Sequence, residues 1–295
     1  MHWHHPTVYM ADQKMATPKR TVLITGCSDG SLGSYLAIAF HKAGLHVYAT
    51  ARNPSKMAGL TALGIETLTL DVLSDSSIAA AMAQIPSLDI LVNNAGAVLN
   101  MPFSDLSIPE AKKLFDLNVW SYLAVTQAFL PLLLESKGII ANQTSGASVV
   151  TLPFQSTYNA SKAAMAMFSD SQRLELEPFG IRVIDLKTGS VRSNIQKSMT
   201  ERTTLPKGSI YEPAREVVEK TLGGEELFKD AGEPTKWAEG VVGNLLKKSP
   251  PPLIWLPGSI NMFLIRLGLL LPFGTFDGTI KKMTGLDIVA QRVGK

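Results

Sequence analysis

Short apolar, β-rich segments alternate with helical patterns along most of this chain, and this alternation leaves few folds open to it. Near-continuous apolar strands indicate a sheet covered on both faces, and intervening helices indicate parallel strands joined by right-handed crossovers. We therefore predict a doubly wound α/β domain. Strands are predicted at residues 21–25, 46–50, 66–70, 88–92, 138–142 and 181–186, and helices at residues 35–42, 78–84, 108–135 and 156–177.

Length and composition exclude several classes of protein. The 295 residues suit one large domain, and no repeat or low-complexity linker divides them. The net charge of +3 comes without a basic run, so no nucleic-acid partner is expected. A single cysteine, Cys27, excludes an internal disulfide framework, and no pattern supports a metal site. Residues 1–18 are polar and His-rich, which predicts a flexible leader rather than a secretory signal.

A glycine-rich turn follows the first predicted strand and opens directly onto a helix, where residues 25–33 read TGCSDGSLG. Gly26, Gly30 and Gly33 permit a tight turn and let a dinucleotide pyrophosphate approach the backbone. The following helix N-terminus offers free N–H groups and the positive end of its dipole. A glycine-rich turn alone is weak evidence, but its place between the first strand and a helix predicts a dinucleotide site.

Arg52, at the end of the second strand, bears on the choice of cofactor. Folds that select NAD carry a carboxylate near this place for the ribose 2′-hydroxyl, whereas an arginine suits the 2′-phosphate of NADP. Asp29 in the turn is a mild counter-signal, because its charge would repel that phosphate. We expect NADP(H); the alternative for Arg52 is an ordinary solvated side chain.

Tyr158 and Lys162 lie four residues apart on a predicted helix and so share one face. A free phenol ionises near pH 10, and a neighbouring ammonium would lower that pKa and make the tyrosine a usable acid or base. Ser145 and residues 93–96 (NNAG) follow predicted strands, and ligands of open α/β sheets bind at such strand ends. The combination indicates a catalytic site.

Together these motifs resemble the short-chain dehydrogenase/reductase family over roughly residues 19–258. The resemblance rests on the 25–33 turn, Asp71-Val72, residues 93–96, Asn118 in the triplet LNV, Ser145, and Tyr158 with Lys162. It implies a Rossmann fold with a seven-stranded, mainly parallel sheet whose last strand lies near residues 253–256. It also implies a homo-oligomer that pairs through residues 108–135 and 156–177.

The resemblance further implies roles for individual residues. Tyr158 would exchange a proton with the substrate oxygen, which Ser145 would hold. Lys162 would bind the nicotinamide ribose and lower the tyrosine pKa, and Asn118 would anchor a water of the proton relay. The implied cofactor contacts are Gly26, Ser28, Gly30, Leu32, Gly33, Arg52, Asp71, Val72, Asn93, Ala95, Gly96, Tyr158, Lys162, Val191 and Ser193.

Two features depart from the family pattern. The glycine-rich turn has one residue more than usual between its second and third glycines, which changes the phosphate contacts expected of residues 31–33. In the segment where many members carry Pro-Gly and a threonine, this chain has Thr188-Gly189 and then Ser193. Ser193 can supply the missing hydroxyl, whereas threonine in place of proline is expected to loosen the turn.

Subfamily features narrow the implied substrate to a hydrophobic one. Residues 47–52 (VYATAR), 152–154 (LPF) and 178–180 (PFG) are similar to hydroxysteroid and retinol dehydrogenases. The Thr188-Gly189 turn and the tail are closer to fungal 1-acyldihydroxyacetone-phosphate reductases and to carbonyl reductases of fungal secondary metabolism.

Three functions follow from the resemblance and compete. The favoured one is an NADP(H)-dependent oxidoreductase that interconverts a ketone and a secondary alcohol on a polyketide or terpenoid. The second is a 1-acyldihydroxyacetone-phosphate reductase, which predicts a basic phosphate site at Lys197, Arg202 and Lys207. The third is a non-redox cyclase, isomerase or nucleotide-binding protein on the same scaffold. The complete set Asn118, Ser145, Tyr158 and Lys162 argues against the third.

Two C-terminal regions have no counterpart in the motifs. Residues 193–234 are polar and irregular and are predicted to form a mobile substrate lid, with a plain surface excursion as the alternative. Residues 259–295 form an apolar extension, whose run 260–273 is shorter than the roughly twenty residues of a membrane span. It is expected to pack on the domain or a partner subunit, to wall the substrate pocket, or to touch a bilayer surface. The expected location is cytoplasmic, or peripheral on the endoplasmic reticulum or lipid droplets.

Overall fold

A computed structural model describes residues 19–200, 204–256 and 261–294. The predicted leader, residues 1–18, lies outside the described residues. Of residues 197, 198, 200 and 261–264 only the backbone is described.

Seven parallel strands form one sheet in the order β3-β2-β1-β4-β5-β6-β7, which confirms the predicted Rossmann fold. All six pairings are parallel, so the sheet has no antiparallel edge. The order reverses between β1 and β4, which leaves a crevice at the carboxyl ends of the two strands. The strands are β1 Thr21–Thr25, β2 His46–Ala51, β3 Glu66–Thr69, β4 Ile90–Asn93, β5 Ile139–Ser145, β6 Arg182–Thr188 and β7 Leu253–Leu256.

Helices connect the strands and cover both faces of the sheet. Those before β6 are α1 Leu32–Lys42, α2 Ala58–Ala62, α3 Asp75–Met82, α4 Ile108–Phe115, α5 Ser121–Ser136 and α6 Ser156–Leu176. Those after β6 are α7 Ile195–Thr200, α8 Arg215–Leu222, α9 Glu225–Phe228, α10 Pro234–Leu245, α11 Asn261–Gly268, α12 Asp277–Met283 and α13 Leu286–Val293.

The central strand β1 shows why the strands are apolar throughout. Val22 and Ile24 face a core layer that includes Phe40 of α1, whereas Leu23 faces the opposite layer with Phe129 of α5. All five of these side chains are fully buried. Because side chains alternate across a strand and both faces are covered, no position in β1 is left for a solvated residue.

The long helix predicted at residues 108–135 is divided by a π-helical segment, Asp116–Trp120, between α4 and α5. Among the described residues, one stretch, Ile108–Ser136, passes a membrane-span test by length and apolar composition. The core helix of a soluble domain passes the same test, and α5 buries Tyr122, Val125 and Leu133 against the sheet. Core packing therefore accounts for its composition.

The predicted lid, residues 193–234, is not irregular throughout, since it contains the three helices α7, α8 and α9. Helix α8 is amphipathic: its Val218 and Leu222 pack with Phe154 and Leu205, and its polar face lies outward. The polar residues of this outward face are part of the polarity from which an irregular segment is predicted. The C-terminal helix α13 joins this cluster through Val289.

Candidate active site

A cleft of about 1080 Å³ lies at the carboxyl ends of the strands. Its lining begins at the β1–α1 turn and reaches Ser145, Tyr158 and Lys162. The far wall is the C-terminal extension, from Ile265 in α11 to Met283 in α12. This is the place where open α/β sheets bind ligands, and it joins a turn rich in N–H groups to an apolar chamber.

Ser145, Tyr158 and Lys162 meet at the centre of the cleft. Ser145 is the last residue of β5, and its hydroxyl makes a hydrogen bond with Tyr158. The Lys162 Nζ atom lies 6.0 Å from the centre of the Tyr158 ring and donates to the Gln143 carbonyl oxygen at 2.8 Å. Lys162 is buried, whereas Tyr158 is half-buried and reaches the open cleft. These three predicted catalytic residues therefore come from one strand end and one helix.

The protonation of this pair differs from what the spacing predicts. Burial raises the pKa of Tyr158, and the hydrogen bond from Ser145 partly offsets that rise. Burial also lowers the pKa of Lys162 to about 8, against an opposing effect of the Asp185 carboxylate. In the protein without ligands the tyrosine is thus a neutral acid, and the lowering expected from Lys162 does not outweigh the loss of hydration.

Asn118 lies in the π-helical segment and is fully buried behind the cleft. Its Oδ1 accepts from the Ala97 N–H at 3.0 Å, and its Nδ2 donates to the Ala97 carbonyl at 3.0 Å and to Ser161 Oγ at 3.1 Å. A π-bulge moves a side chain around the helix axis, and here it brings the amide against the loop after β4. Asn118 therefore holds that loop to the helix that carries Tyr158.

The β1–α1 turn fits a dinucleotide pyrophosphate. Gly26 has a φ of +75°, and a Cβ there would lie 2.8 Å from the Ala95 Cα. A Cβ on Gly33 would lie 2.5 Å from the Gly26 carbonyl oxygen. Ser31 caps α1: its hydroxyl accepts from the Ser34 N–H at 3.2 Å and donates to the Gly26 carbonyl at 2.9 Å. The extra residue of this turn is thus taken up as the helix N-cap.

The adenosine side of the cleft supports the expected cofactor. Arg52 is exposed at the rim of the cleft, where Asp71 and Val72 also line it. The Asp29 carboxylate accepts from the Gly59 N–H at 3.1 Å. Asp29 does not line the cleft, whereas Arg52 does.

Four predicted site residues do not line the cleft: Gly30, Gly33, Asn93 and Asn118. Asn93 is a correction, because its Nδ2 donates to Thr126 Oγ1 and Asn142 Oδ1, both at 2.9 Å, within the core. Its neighbour Asn94 lines the cleft instead and donates to the Thr25 carbonyl at 2.7 Å. Strand alternation decides which of two adjacent asparagines faces the ligand. The remaining predicted contacts line the cleft: Gly26, Ser28, Leu32, Arg52, Asp71, Val72, Ala95, Gly96, Tyr158, Lys162, Val191 and Ser193.

Several residues of the cleft were missed from the sequence. Asn194 lines it and ties the segment after β6 to the glycine-rich turn, since its N–H donates to the Gly30 carbonyl at 3.1 Å and its side chain to the Asp29 carbonyl. A Cβ on residue 30 would lie 2.9 Å from the Asn194 side chain, which explains why this position is a glycine. Asn194 lies directly after the predicted contact Ser193, which was the available signal.

Thr188 does not leave its turn loose. Its buried hydroxyl accepts from Gln143 Nε2 at 2.8 Å and from Trp237 Nε1 at 3.3 Å. These bonds join the ends of β5 and β6 to α10. The rigidity that proline supplies through a fixed φ is here supplied by side-chain hydrogen bonds.

The basic phosphate site proposed for a lipid substrate is not assembled by the described residues. The Lys197 side chain and the whole of Arg202 lie outside the described residues. Lys207 is exposed and does not line the cleft. Within residues 19–200, 204–256 and 261–294, no group of three or more His, Cys, Asp or Glu is placed to hold a metal ion.

Comparisons with known proteins bear on the family and the fold of this chain. The family described as short chain dehydrogenase matches residues 20–204. The chain is 56% identical over 282 residues to a short-chain dehydrogenase/reductase of Pestalotiopsis microspora, covering 95% of this chain and 99% of the relative. It is 37% identical over 289 residues to the NADPH-dependent 1-acyldihydroxyacetone phosphate reductase of Schizosaccharomyces pombe, covering 92% and 96% of the two chains. Its fold is similar to the crystal structure of a short-chain dehydrogenase from Streptomyces avermitilis, with a TM-score of 0.73, 27% identity, and coverage of 94% and 98%.

Proposed function

This chain belongs to the short-chain dehydrogenase/reductase family, and from that premise we propose that it reduces a ketone on a hydrophobic substrate to a secondary alcohol with NADPH. The observation that carries the proposal is the meeting of Tyr158, Ser145 and Lys162 at the centre of a cleft whose far wall is apolar. The favoured substrate is a polyketide or terpenoid ketone of fungal secondary metabolism. The reverse oxidation uses the same groups.

The residues of the cleft suit NADPH along its length. The β1–α1 turn would hold the pyrophosphate through backbone N–H groups, Arg52 would pair with the 2′-phosphate, and Asp71 and Val72 would flank the adenine. Lys162 would hold the nicotinamide ribose, and Val191 and Ser193 would contact the nicotinamide end. When bound, the dihydronicotinamide supplies the two electrons of the reduction as hydride.

The proton comes from the protein. Tyr158 Oη donates it to the carbonyl oxygen, and Ser145 Oγ donates a hydrogen bond to the same oxygen as negative charge develops there. Because burial keeps Tyr158 protonated well above neutral pH, the acid is ready for reduction. Lys162 stabilises the phenolate left behind, and Asn118 holds the loop after β4 to the helix that carries Tyr158.

The alkaline limb of the pH profile should be set by Lys162. We expect kcat/KM for ketone reduction to fall as the pH rises through about 8, because Lys162 loses its proton there while Tyr158 keeps its own. The pH profile of kcat/KM measures this. An Asp185→Asn variant should move the fall to lower pH, since Asp185 raises the pKa of Lys162. A profile that stays flat from pH 7 to 10 would contradict the assignment.

The apolar wall favours an uncharged ketone over a phosphate-bearing lipid. The large side chains that the C-terminal extension brings to the cleft include Ile265, Leu269, Leu271, Phe273 and Phe276. Lys207, the described member of the expected phosphate site, lies away from it. The 37% identical relative that reduces 1-acyldihydroxyacetone phosphate keeps that substrate as the second candidate.

A panel assay tests the function. Purified protein is given NADPH and a set of polyketide-like ketones, terpenoid ketones, steroid ketones and an acyl-dihydroxyacetone phosphate, with NADPH absorbance as the signal. We expect turnover of an uncharged apolar ketone, absent in Tyr158→Phe. Preference for the acyl-dihydroxyacetone phosphate would favour the second candidate. NADPH binding without turnover of any ketone would favour a non-redox protein on this scaffold.

Arg52 should decide between the two nicotinamide cofactors. Because charge-assisted hydrogen bonds contribute about 1.5–3 kcal/mol, Arg52→Ala should weaken NADPH binding roughly ten- to hundredfold and leave NADH binding unchanged. Fluorescence titration of both cofactors measures this. Lys56→Ala is the matched control, since Lys56 is exposed on the next turn and does not line the cleft. Equal loss for both cofactors would show that Arg52 does not bind the 2′-phosphate.

The proposal extends to assembly and location. Trp120, Met167 and Leu174 are half or more exposed on the π segment and α6, although they are large and apolar. Their exposure supports a homo-oligomer that pairs through these helices. An enzyme that consumes NADPH and carries a free buried Cys27 thiol fits an intracellular location.

A further inference from the structure

The C-terminal extension carries an exposed apolar rim, which we define as Leu267, Leu269, Leu270, Leu271, Phe273 and Phe276. Leu270 is 81% exposed and Phe273 is fully exposed, and the other four are between 38% and 49% exposed. Six large apolar side chains within ten residues form a patch rather than scattered exposure. Such patches mark sites that contact another molecule or a membrane.

The apolar rim continues into the cleft. Leu269, Leu271, Phe273 and Phe276 also line the cleft that holds Tyr158. The segment therefore borders both the substrate chamber and solvent. An apolar molecule that leaves a surface covering the rim would reach the chamber without crossing water.

Charges beside the rim are mostly positive. Arg266, Lys281 and Lys282 are exposed, and among the described residues their side chains enter no ion pair. Asp277 is the one acidic residue in the described segment 265–283. Apolar side chains next to unpaired cations suit the interface of an anionic lipid surface, where the former enter the acyl boundary and the latter pair with headgroups.

The segment is fixed to the domain at its far end. Thr221 of α8 donates to the Thr284 carbonyl at 3.1 Å, Arg292 of α13 pairs with Glu216, and Val289 is buried beside α8. A lipid surface that holds the rim would therefore hold the whole catalytic domain, with the mouth of the cleft toward the lipid.

We propose that the apolar rim and the cations Arg266, Lys281 and Lys282 dock the protein on an anionic lipid surface, from which its hydrophobic substrate enters the cleft. Docking itself does not depend on the redox function, so it can be tested without turnover. The delivery of substrate from the lipid rests on the proposed function.

Vesicle sedimentation tests the docking. The full chain is mixed with vesicles of phosphatidylcholine alone or with added phosphatidylserine, and the pelleted fraction is measured at low and high salt. We expect binding to the phosphatidylserine vesicles that weakens with salt. Leu270→Ser with Phe273→Ser should weaken it at least tenfold, and Lys281→Gln with Lys282→Gln should remove its preference for phosphatidylserine.

The matched control is Leu63→Ser with Phe103→Ser, which removes a leucine and a phenylalanine that are 52% and 84% exposed elsewhere on the surface. This control should sediment like the unchanged protein. Thermal unfolding of each variant shows that its fold is intact.

Three results would overturn the proposal. In the first, the unchanged protein stays in the supernatant with both kinds of vesicle. In the second, the rim variant and the control variant lose binding equally. In the third, light scattering shows that the rim variant dissociates an oligomer while no vesicle binding occurs, which would assign the rim to a second copy of this chain. If the unchanged protein binds the vesicles but reduces no ketone, the result contradicts the proposed function and not the docking.

Discussion

Replacing Tyr158 with Phe is expected to lower kcat for ketone reduction by about 10²- to 10⁴-fold, the usual contribution of a positioned general acid. The change removes the phenolic oxygen and leaves the ring that packs at the cleft. The hydroxyl of Ser145 and the cation of Lys162 remain, so binding of NADPH should change little. Steady-state kinetics with the preferred ketone, together with NADPH titration, measure both quantities.

Tyr35→Phe is the matched control, because Tyr35 lies on α1 and does not line the cleft. It should retain the activity of the unchanged enzyme. If Tyr158→Phe kept more than a tenth of that activity, the proton would have to come from another donor, and the assignment of Tyr158 would be wrong.

The second large effect is expected at a buried ion pair behind the active site. Asp185 and Lys187 on β6 are joined at 2.8 Å, and their side chains are only 12% and 7% exposed. The Lys187 Nζ also donates to Ser148 Oγ at 2.8 Å, in the turn that follows Ser145. Asp185 accepts from Thr144 Oγ1. Asp185→Leu should lower the free energy of unfolding by about 3–5 kcal/mol, because it leaves the lysine charge buried and unpaired.

Urea unfolding followed by tryptophan fluorescence measures this loss. The double variant Asp185→Leu, Lys187→Met should recover most of it, since replacing both charges with apolar groups is often neutral. Lys187→Met is measured as the second single variant. If the loss of unfolding free energy in the double variant equalled the sum of the losses in the two single variants, the pair would not be coupled. Activity provides a second measurement, because Lys187 holds the turn beside Ser145.

Local patterns predicted the fold well where short-range rules apply. Apolar runs located all six strands of the first part of the chain, although β5 extends three residues beyond its predicted end, to Ser145. That extension makes Ser145 part of the sheet rather than of a loop. The first helix also differs from its prediction, because α1 begins at Leu32 rather than at residue 35. The Ser31 side chain caps the helix there, and apolar periodicity alone does not detect a cap.

The helices within residues 193–234 and the buried ion pair show what the sequence did not predict. Polarity in residues 193–234 suggested an irregular segment, but α8 needs only one apolar face to pack on Phe154 and Leu205. The sequence does not predict the ion pair of Asp185 and Lys187, because the pair forms a buried contact only after the domain has packed around both side chains.

For this protein, the amino-acid sequence by itself determined the Rossmann architecture, the glycine-rich turn and the Tyr158–Lys162 pair, because strand period, turn chemistry and four-residue helical spacing act within a few residues of the chain. The tertiary structure alone decided that Asn94 rather than Asn93 faces the cleft, that Asn194 closes on the Asp29 carbonyl 165 residues away, and that the apolar tail walls the chamber. Those contacts join distant segments, and only the packing of the whole domain decides which side chains meet.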